Sequence, residues 1–389
     1  MKKGLKIGLG LAAFAVVFVL VSFGAVLAYV IYEQHLYKNL RDTHDLSQQT
    51  ARLGVDYVTR RPEAGLVIGV YQGDHANISG FGRGSSTRSD PPNGQTLFEI
   101  GSITKVFTGV TLAKLANDGV VKLSDPISLY LPAGVASPKK NGHEITLEQM
   151  ATHTSGLPRL PPNWDATVTN ELNPYLSYTA ADLYQSLAQV KLSAEPGKTS
   201  DYSNYGFGLL GQLLSLKTGL PYETLIRQTV CDPLGLTNTV IHLNSEAHDR
   251  LAPGHNPQGN IVPNWDMDAL AGCGALRSNA HDLLTLVSAN LETNNAPIYQ
   301  ALAEARKYHF KEFSGGVGLG WQIDEPVDGR VVYWHNGGTG GYYSFIAFDR
   351  QNRVGVVILS NYGDAFAGDN TIDQMGMELL KLAGKVSWQ

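Results

Sequence analysis

The chain opens on an apolar run. No residue from Ile7 to Tyr32 is charged, and a membrane-spanning helix needs roughly 20 such residues. Lys2, Lys3 and Lys6 precede the run, and positive charge on that flank favours an N-terminus inside and a remainder outside the cytoplasm. The pattern predicts a single transmembrane anchor over residues 1–32. A cleaved signal peptide is the other reading, with the cut at Ala28, but Tyr29–Tyr32 continues the apolar stretch past that point. Glu33–Thr59 is polar with a helical pattern, which predicts a stalk and first helix over residues 33–60.

Beyond it the period changes repeatedly. Leu66–Tyr71 and Ile78–Gly82 read as strands joined at Gly73-Asp74, and Leu97–Ile100 as a short strand. Ser102–Asn117 reads as a helix with Val106, Val110, Leu112, Leu115 and Ala116 on its apolar face. From Asp125 to Leu291 the signals are short helices between Pro/Gly loops: Thr146–Thr152, Ala180–Val190, Tyr202–Thr218 and Ala280–Leu291. Strands return at Leu319–Ile323, Val331–His335, Tyr343–Phe348 and Val354–Leu359, and Thr371–Leu382 is a closing amphipathic helix. Strands at both ends around a helical middle predict an α+β architecture. One sheet is expected from residues 61–120 and 292–389, with an inserted helical lobe over residues 121–291. Solenoid repeats and low-complexity linkers are absent.

Composition narrows the function classes. With 43% hydrophobic residues, 42 glycines and only 17% charged residues, the chain can bury a large core and is not a disordered one. A net charge of −5 with no long basic run sets nucleic-acid binding aside. Two cysteines, Cys231 and Cys273, support neither a disulfide-rich scaffold nor a four-cysteine zinc site. They read best as two free buried thiols, pairing outside the cytoplasm being the alternative.

Several motifs of known mechanics are missing. The chain has no Gly-x-Ser-x-Gly elbow, no Walker loop, and no His-Glu-x-x-His, since His143-Glu144 meets Leu147 at the required spacing. Gly206–Gly211 matches the dinucleotide pattern literally but follows the polar stretch Lys198–Asn204 instead of a strand, so it reads as a helix with small residues. No cofactor or metal is expected.

Three candidate elements remain. Ser102-Ile103-Thr104-Lys105 opens a helix, whereas the second Ser-x-x-Lys, Ser137-Pro138-Lys139-Lys140, lies in a polar, proline-containing loop. A serine at a helix N-terminus has free backbone N–H groups beside it to hold a developing oxyanion. Lys105 lies one turn on along the same face and is placed to take the serine proton. The plain alternative is an N-cap serine followed by a surface lysine. Tyr202-Ser203-Asn204 opens a later helix; a tyrosine beside an ammonium can act as general base or acid, and an asparagine amide can hold a substrate carbonyl. A similar Tyr37-Lys38-Asn39 belongs to the stalk. Finally, the strand Val331–Trp334 runs into His335-Asn336-Gly337-Gly338-Thr339-Gly340-Gly341. Glycines there let a ligand backbone come close, and His335 is placed to bond a substrate carboxylate or tune the tyrosine. Taken alone, this element is a glycine-rich turn with a capping histidine.

In this order the three elements resemble the penicillin-interacting serine hydrolases. The Tyr-Ser-Asn element resembles the class C β-lactamase branch, which also holds low-molecular-mass D-alanyl-D-alanine carboxypeptidase/endopeptidases, esterases and aminopeptidases. The similarity runs from about Glu63 to Asn361, through His153–Leu157, Pro233–Leu236, Gly274–Ser278 and Gly318–Trp321. It implies a β-lactamase/transpeptidase-like fold, an antiparallel sheet flanked by helices with an all-helical domain. It implies Ser102 as acylated nucleophile, Lys105 as its proton partner and Tyr202 as the base that also serves deacylation. It further implies that Asn204, His335, Asn336, Gly337 and Gly338 line the substrate, with the Gly338 N–H completing an oxyanion hole with that of Ser102.

The third element departs from the Lys-Thr-Gly of most class C β-lactamases. A literal Lys217-Thr218-Gly219 ends a helix and reads as structural, with Gly219 as its C-cap. A histidine in the third element occurs in peptidase and esterase members, so the resemblance implies a D-alanyl-D-alanine carboxypeptidase/endopeptidase, which the N-terminal apolar run places as membrane-anchored and periplasmic. The expected partner is a peptidoglycan peptide or a β-lactam, with a pH dependence near neutrality from His335. A β-lactamase or esterase on the same site is the close alternative, and a non-hydrolytic β-lactam or wall-peptide sensor the distant one.

Overall fold

The computed structural model describes residues 45–84, 90–326, 329–364 and 371–386. The expected anchor and the start of the stalk lie outside these residues. Among the described residues no helix is long and apolar enough to cross a membrane.

Eight strands form one antiparallel sheet. In spatial order they are His75–Gly82, Gly65–Gln72, Val354–Ser360, Tyr343–Asp349, Val332–Gly338, Gln322–Asp324, Gly315–Val317 and Phe310–Glu312. The first and last parts of the chain thus meet at the sheet centre, where Ile68 faces Ile358. The central strands are apolar at nearly every position because both faces are covered. Leu66, Ile68, Val70, Phe345, Ala347 and Val356 point to one side, against Leu53 and Tyr57 of the Leu46–Arg60 helix and Ile372, Met375 and Leu379 of the Thr371–Ala383 helix. Alternation sends Val67, Ile346, Phe348 and Val357 to the other side, into a larger core shared with the remaining helices.

Four elements differ from the sequence reading. Leu97–Ile100 does not join the main sheet; Phe98–Glu99 pairs with Arg277–Ser278 as a separate two-stranded ribbon. The strand expected at Leu319–Ile323 is Gln322–Asp324, because residues 318–321 turn tightly along the Thr104–Asn117 helix instead of extending. The Ala280–Leu291 helix, expected in the inserted lobe, packs against the sheet through Leu283, Leu284 and Val287. Leu46–Arg60, for its part, is no free stalk but one wall of the second core, opened by Asp45 accepting from the N–H groups of Ser47 and Gln48.

One ionic contact ties the lobe to the sheet edge. His309 Nδ1 lies 2.6 Å from Glu148 Oε1, and Nε2 donates to the Glu304 carbonyl at 3.1 Å. Burial disfavours the imidazolium, but these bonds and both carboxylates outweigh it and raise the His309 pKa above its ordinary 6.5. A raised folded-state pKa contributes stability that is complete below the unfolded value and is lost as pH climbs through the folded one. The urea midpoint is therefore expected to fall as pH rises above about 6.5, and less steeply in His309→Gln; equal slopes would remove His309 as the cause.

Candidate active site

The site forms where the end of the Val332–Gly338 strand meets the turn Gly101–Ile103, with the helical lobe opposite. Ser102 sits within that single 3₁₀ turn, which runs directly into the Thr104–Asn117 helix. Its hydroxyl does not cap the helix, so the N-cap reading is excluded. Lys105 is completely buried. Its Nζ donates to Ser102 Oγ at 2.9 Å and to the Cys273 carbonyl at 2.7 Å, so the surface-lysine reading is excluded as well.

The turn and the strand are in near contact. Gly101 has φ +46°, and a Cβ on Gly337 would stand 2.1 Å from the Ile100 carbonyl and 2.9 Å from the Ser102 nitrogen. Only glycine lets the strand backbone approach the serine this closely. A Cβ on Gly101 would in turn stand 2.8 Å from the Gly338 nitrogen, so the strand backbone at Gly337-Gly338 abuts the turn that carries Ser102.

Tyr202 and Asn204 arrive from the lobe. Tyr202 precedes the Asn204–Thr218 helix, which Ser203 caps by accepting from the Gly206 N–H. Lys105 Nζ lies 4.8 Å from the centre of the Tyr202 ring. Asn204 Nδ2 donates to the Tyr175 hydroxyl at 3.4 Å, and its Oδ1 is buried with no partner among the described residues.

The structure corrects the reading of His335 and Asn336. His335 is buried beneath the cleft, with its ring 6.2 Å from that of Tyr202. Its Nδ1–H donates to the Asn336 carbonyl at 2.6 Å. Burial, with the Lys105 ammonium nearby, pushes its pKa down to about 3. It is neutral at physiological pH, cannot supply a cation to a substrate carboxylate, and does not titrate near neutrality. The physical reason is burial first, which strips the imidazolium of water, and then the Lys105 side chain, beside which a second buried cation has no compensating charge. The Asn336 amide is engaged on the far face of the sheet, donating to Asp373 Oδ2 at 2.7 Å, so only the rest of Asn336 borders the cleft.

Sequence reasoning assigned no role to several residues that shape the site. His153 adopts φ +59°, rare for a residue with a side chain. Its Nδ1 accepts from the Ser203 N–H at 3.0 Å, and its ring packs on Tyr202 with centroids 4.4 Å apart. Burial first, then Lys105, drives its pKa well down, so the imidazole is a neutral shelf under the tyrosine. Glu99 and Arg277 form a buried pair at 3.1 Å, and Glu99 also accepts from the Trp265 N–H at 2.9 Å. Trp265 forms an aromatic wall with Tyr175 and Trp164. Histidine in a loop and acid–base pairs distant in sequence leave no periodic signal; His153 was legible only as part of a shared five-residue segment. Both cysteines are free and buried, and burial raises both thiols, which removes them as nucleophiles.

Ser102, Tyr202, Asn204, Gly337 and Gly338 thus border one cleft of about 470 Å³, with Lys105 under its floor. The serine hydroxyl is the one nucleophile there held by a buried amine.

Comparison with known proteins agrees with this geometry. The family described as "Beta-lactamase" matches residues 54–374. The D-alanyl-D-alanine-carboxypeptidase/endopeptidase AmpH of Escherichia coli K12 is 29% identical over 337 residues, covering 82% of this chain and 85% of that protein. A β-lactamase of Pseudomonas fluorescens is 30% identical over 332 residues, covering 77% and 88%. Among solved structures, a β-lactamase/D-alanine carboxypeptidase from Yersinia pestis aligns with a TM-score of 0.74 at 25% identity, over 87% of this chain and 97% of that one. A class C β-lactamase from Rhodobacter sphaeroides aligns at 0.72 and 25%, over 85% and 98%. The sheet with its flanking helices is therefore the β-lactamase/transpeptidase-like fold, and the chain belongs to the β-lactamase family as a serine hydrolase.

Proposed function

We propose that this protein is a D-alanyl-D-alanine carboxypeptidase/endopeptidase acting on peptidoglycan peptides through an acyl-enzyme on Ser102. The observation that carries the reading is the buried Lys105 side-chain nitrogen, 2.9 Å from Ser102 Oγ and 4.8 Å from the centre of the Tyr202 ring. With one proton shared between the Lys105 nitrogen and the Tyr202 oxygen, one of the two keeps a free lone pair, and it takes the Ser102 proton as Oγ bonds to the peptide carbonyl carbon. The Ser102 and Gly338 N–H groups hold the oxyanion. The C–N bond then breaks, the pair returns the proton to the departing amine, and water later cleaves the ester with Tyr202 as base. Asn204 Oδ1 accepts from a substrate amide. The histidine-containing third element and the similarity to AmpH support a peptidase substrate.

A β-lactamase activity on the same site is the second reading, favoured by the similarity to the Pseudomonas fluorescens enzyme. The uncharged Ile7–Tyr32 run behind three lysines supports a membrane anchor with the catalytic part outside the cytoplasm.

The test is release of D-alanine from a muramyl pentapeptide beside turnover of a chromogenic cephalosporin. D-Alanine release with slow cephalosporin turnover is expected. Rapid cephalosporin turnover without D-alanine release would favour the second reading and sink the first.

A further inference from the structure

We propose that Arg159 is the specificity residue that holds a substrate carboxylate, so the enzyme takes its anionic end from the helical lobe and not from the strand. This deepens, and rests on, the peptidase reading above.

Among the described residues, Arg159 is the one bordering the cleft with a formally charged side chain. Lys105 lies beneath the floor, completely buried and engaged with Ser102 and the Cys273 carbonyl. His335 is buried and neutral, and the Asn336 amide is tied to Asp373. No cation on the strand side therefore faces the cleft, and a carboxylate brought in there would have only neutral partners.

The position of Arg159 suits the task. Its backbone is pinned: the Pro158 carbonyl accepts from Ser203 Oγ at 2.7 Å, and the Arg159 carbonyl accepts from the Tyr205 N–H at 3.1 Å. The same Tyr202–Tyr205 segment that carries the proposed base thus anchors the Arg159 backbone. The side chain itself is exposed, with its guanidinium carbon 5.2 Å from the centre of the Tyr202 ring. A face resting on an aromatic ring leaves the N–H edges open, and that planar fork matches a carboxylate through two parallel hydrogen bonds. Among the described residues no carboxylate pairs with it, in contrast to Arg277, which Glu99 neutralises. An exposed, unneutralised guanidinium on the cleft that Ser102 also borders is a poor structural element and a good anion receptor.

The test separates binding from chemistry. In a Ser102→Ala background, affinity is measured by calorimetry for diacetyl-L-lysyl-D-alanyl-D-alanine and for the same tripeptide with a C-terminal amide. The acid is expected to bind about 10- to 100-fold more tightly than the amide. Arg159→Gln is expected to erase that preference, and Arg159→Lys to restore part of it. In the active enzyme, Arg159→Gln is expected to raise KM for the acid with kcat little changed and the amide unaffected. Equal affinity for acid and amide, binding of neither, or a preference that survives Arg159→Gln overturns the proposal. An equal loss of kcat on both substrates also overturns it, since that is the signature of a residue acting through Tyr202. Failure of the peptidase reading shows separately, as absence of D-alanine release by the unaltered enzyme.

Discussion

Ser102→Ala is expected to abolish covalent labelling by a fluorescent penicillin and all measurable hydrolysis, while the protein unfolds almost where the wild type does. The first half follows from chemistry: without Oγ no ester can form, and the buried amine beneath has no other hydroxyl within bonding distance. The second follows from the hydrogen-bond inventory. Among the described residues the hydroxyl makes a single bond, accepted from Lys105, and caps nothing. Lys105 keeps the Cys273 carbonyl, so the loss is limited to about 1 kcal/mol, the net worth of one such bond. Gel fluorescence after labelling and a thermal melt read the two halves. Persistent label on Ser102→Ala, with an unchanged melt, would place the nucleophile elsewhere.

Lys105→Met is expected to slow acylation by about 10²- to 10⁴-fold, the usual worth of a positioned proton-transfer group, since it breaks the proton-sharing pair with Tyr202. Stability is expected to change by less than about 2 kcal/mol. Methionine fills nearly the same volume, and a buried cation supported by one hydroxyl and one carbonyl contributes little net stability once its desolvation is counted. The activity loss and the small stability change must occur together. A variant as active as the wild type would remove Lys105 from the proton path; a variant that fails to fold would mean the ammonium is a structural keystone. The second-order rate of penicillin labelling and a urea titration measure the pair. His335 adds a further expectation to the same variant. Removing the ammonium takes away one of the causes that hold the imidazole neutral, so any titration of His335 near neutrality should surface only there.

The limits of sequence reading show most clearly at the third element. Its place on a strand and its glycines follow from local pattern, and its position opposite Ser102 is what the family resemblance implies. The protonation of His335 does not, because it depends on an ammonium contributed by a helix more than two hundred residues earlier in the chain, and on burial that only packing produces. The same holds for Asn336. Its type suggested a substrate contact, yet strand alternation turns its amide toward Asp373 on the closing helix, away from His335's side of the sheet.

Elsewhere the chain was easier to read. Two-residue alternation and continuous apolar runs marked the central strands, since a strand buried on both faces must be apolar at nearly every position. The helix behind Ser102 and the one behind Tyr202 were visible from their length and period. Gly219 as a left-handed C-cap also followed from position alone, and it adopts φ +71°.

By itself, then, the sequence marked the central strands and the long helices, because periodicity is local or repeats along the chain, and through its resemblance to a known family it implied the roles of Ser102, Lys105 and Tyr202. The tertiary structure alone decided that Lys105 is fully buried, that His335 is neutral, that His153 underlies Tyr202 and that Arg159 is the cleft's one charged side chain. Each of these depends on dielectric and on neighbours brought together from distant parts of the chain, and electrostatic energies are set by those distances in space, not by separation along the sequence.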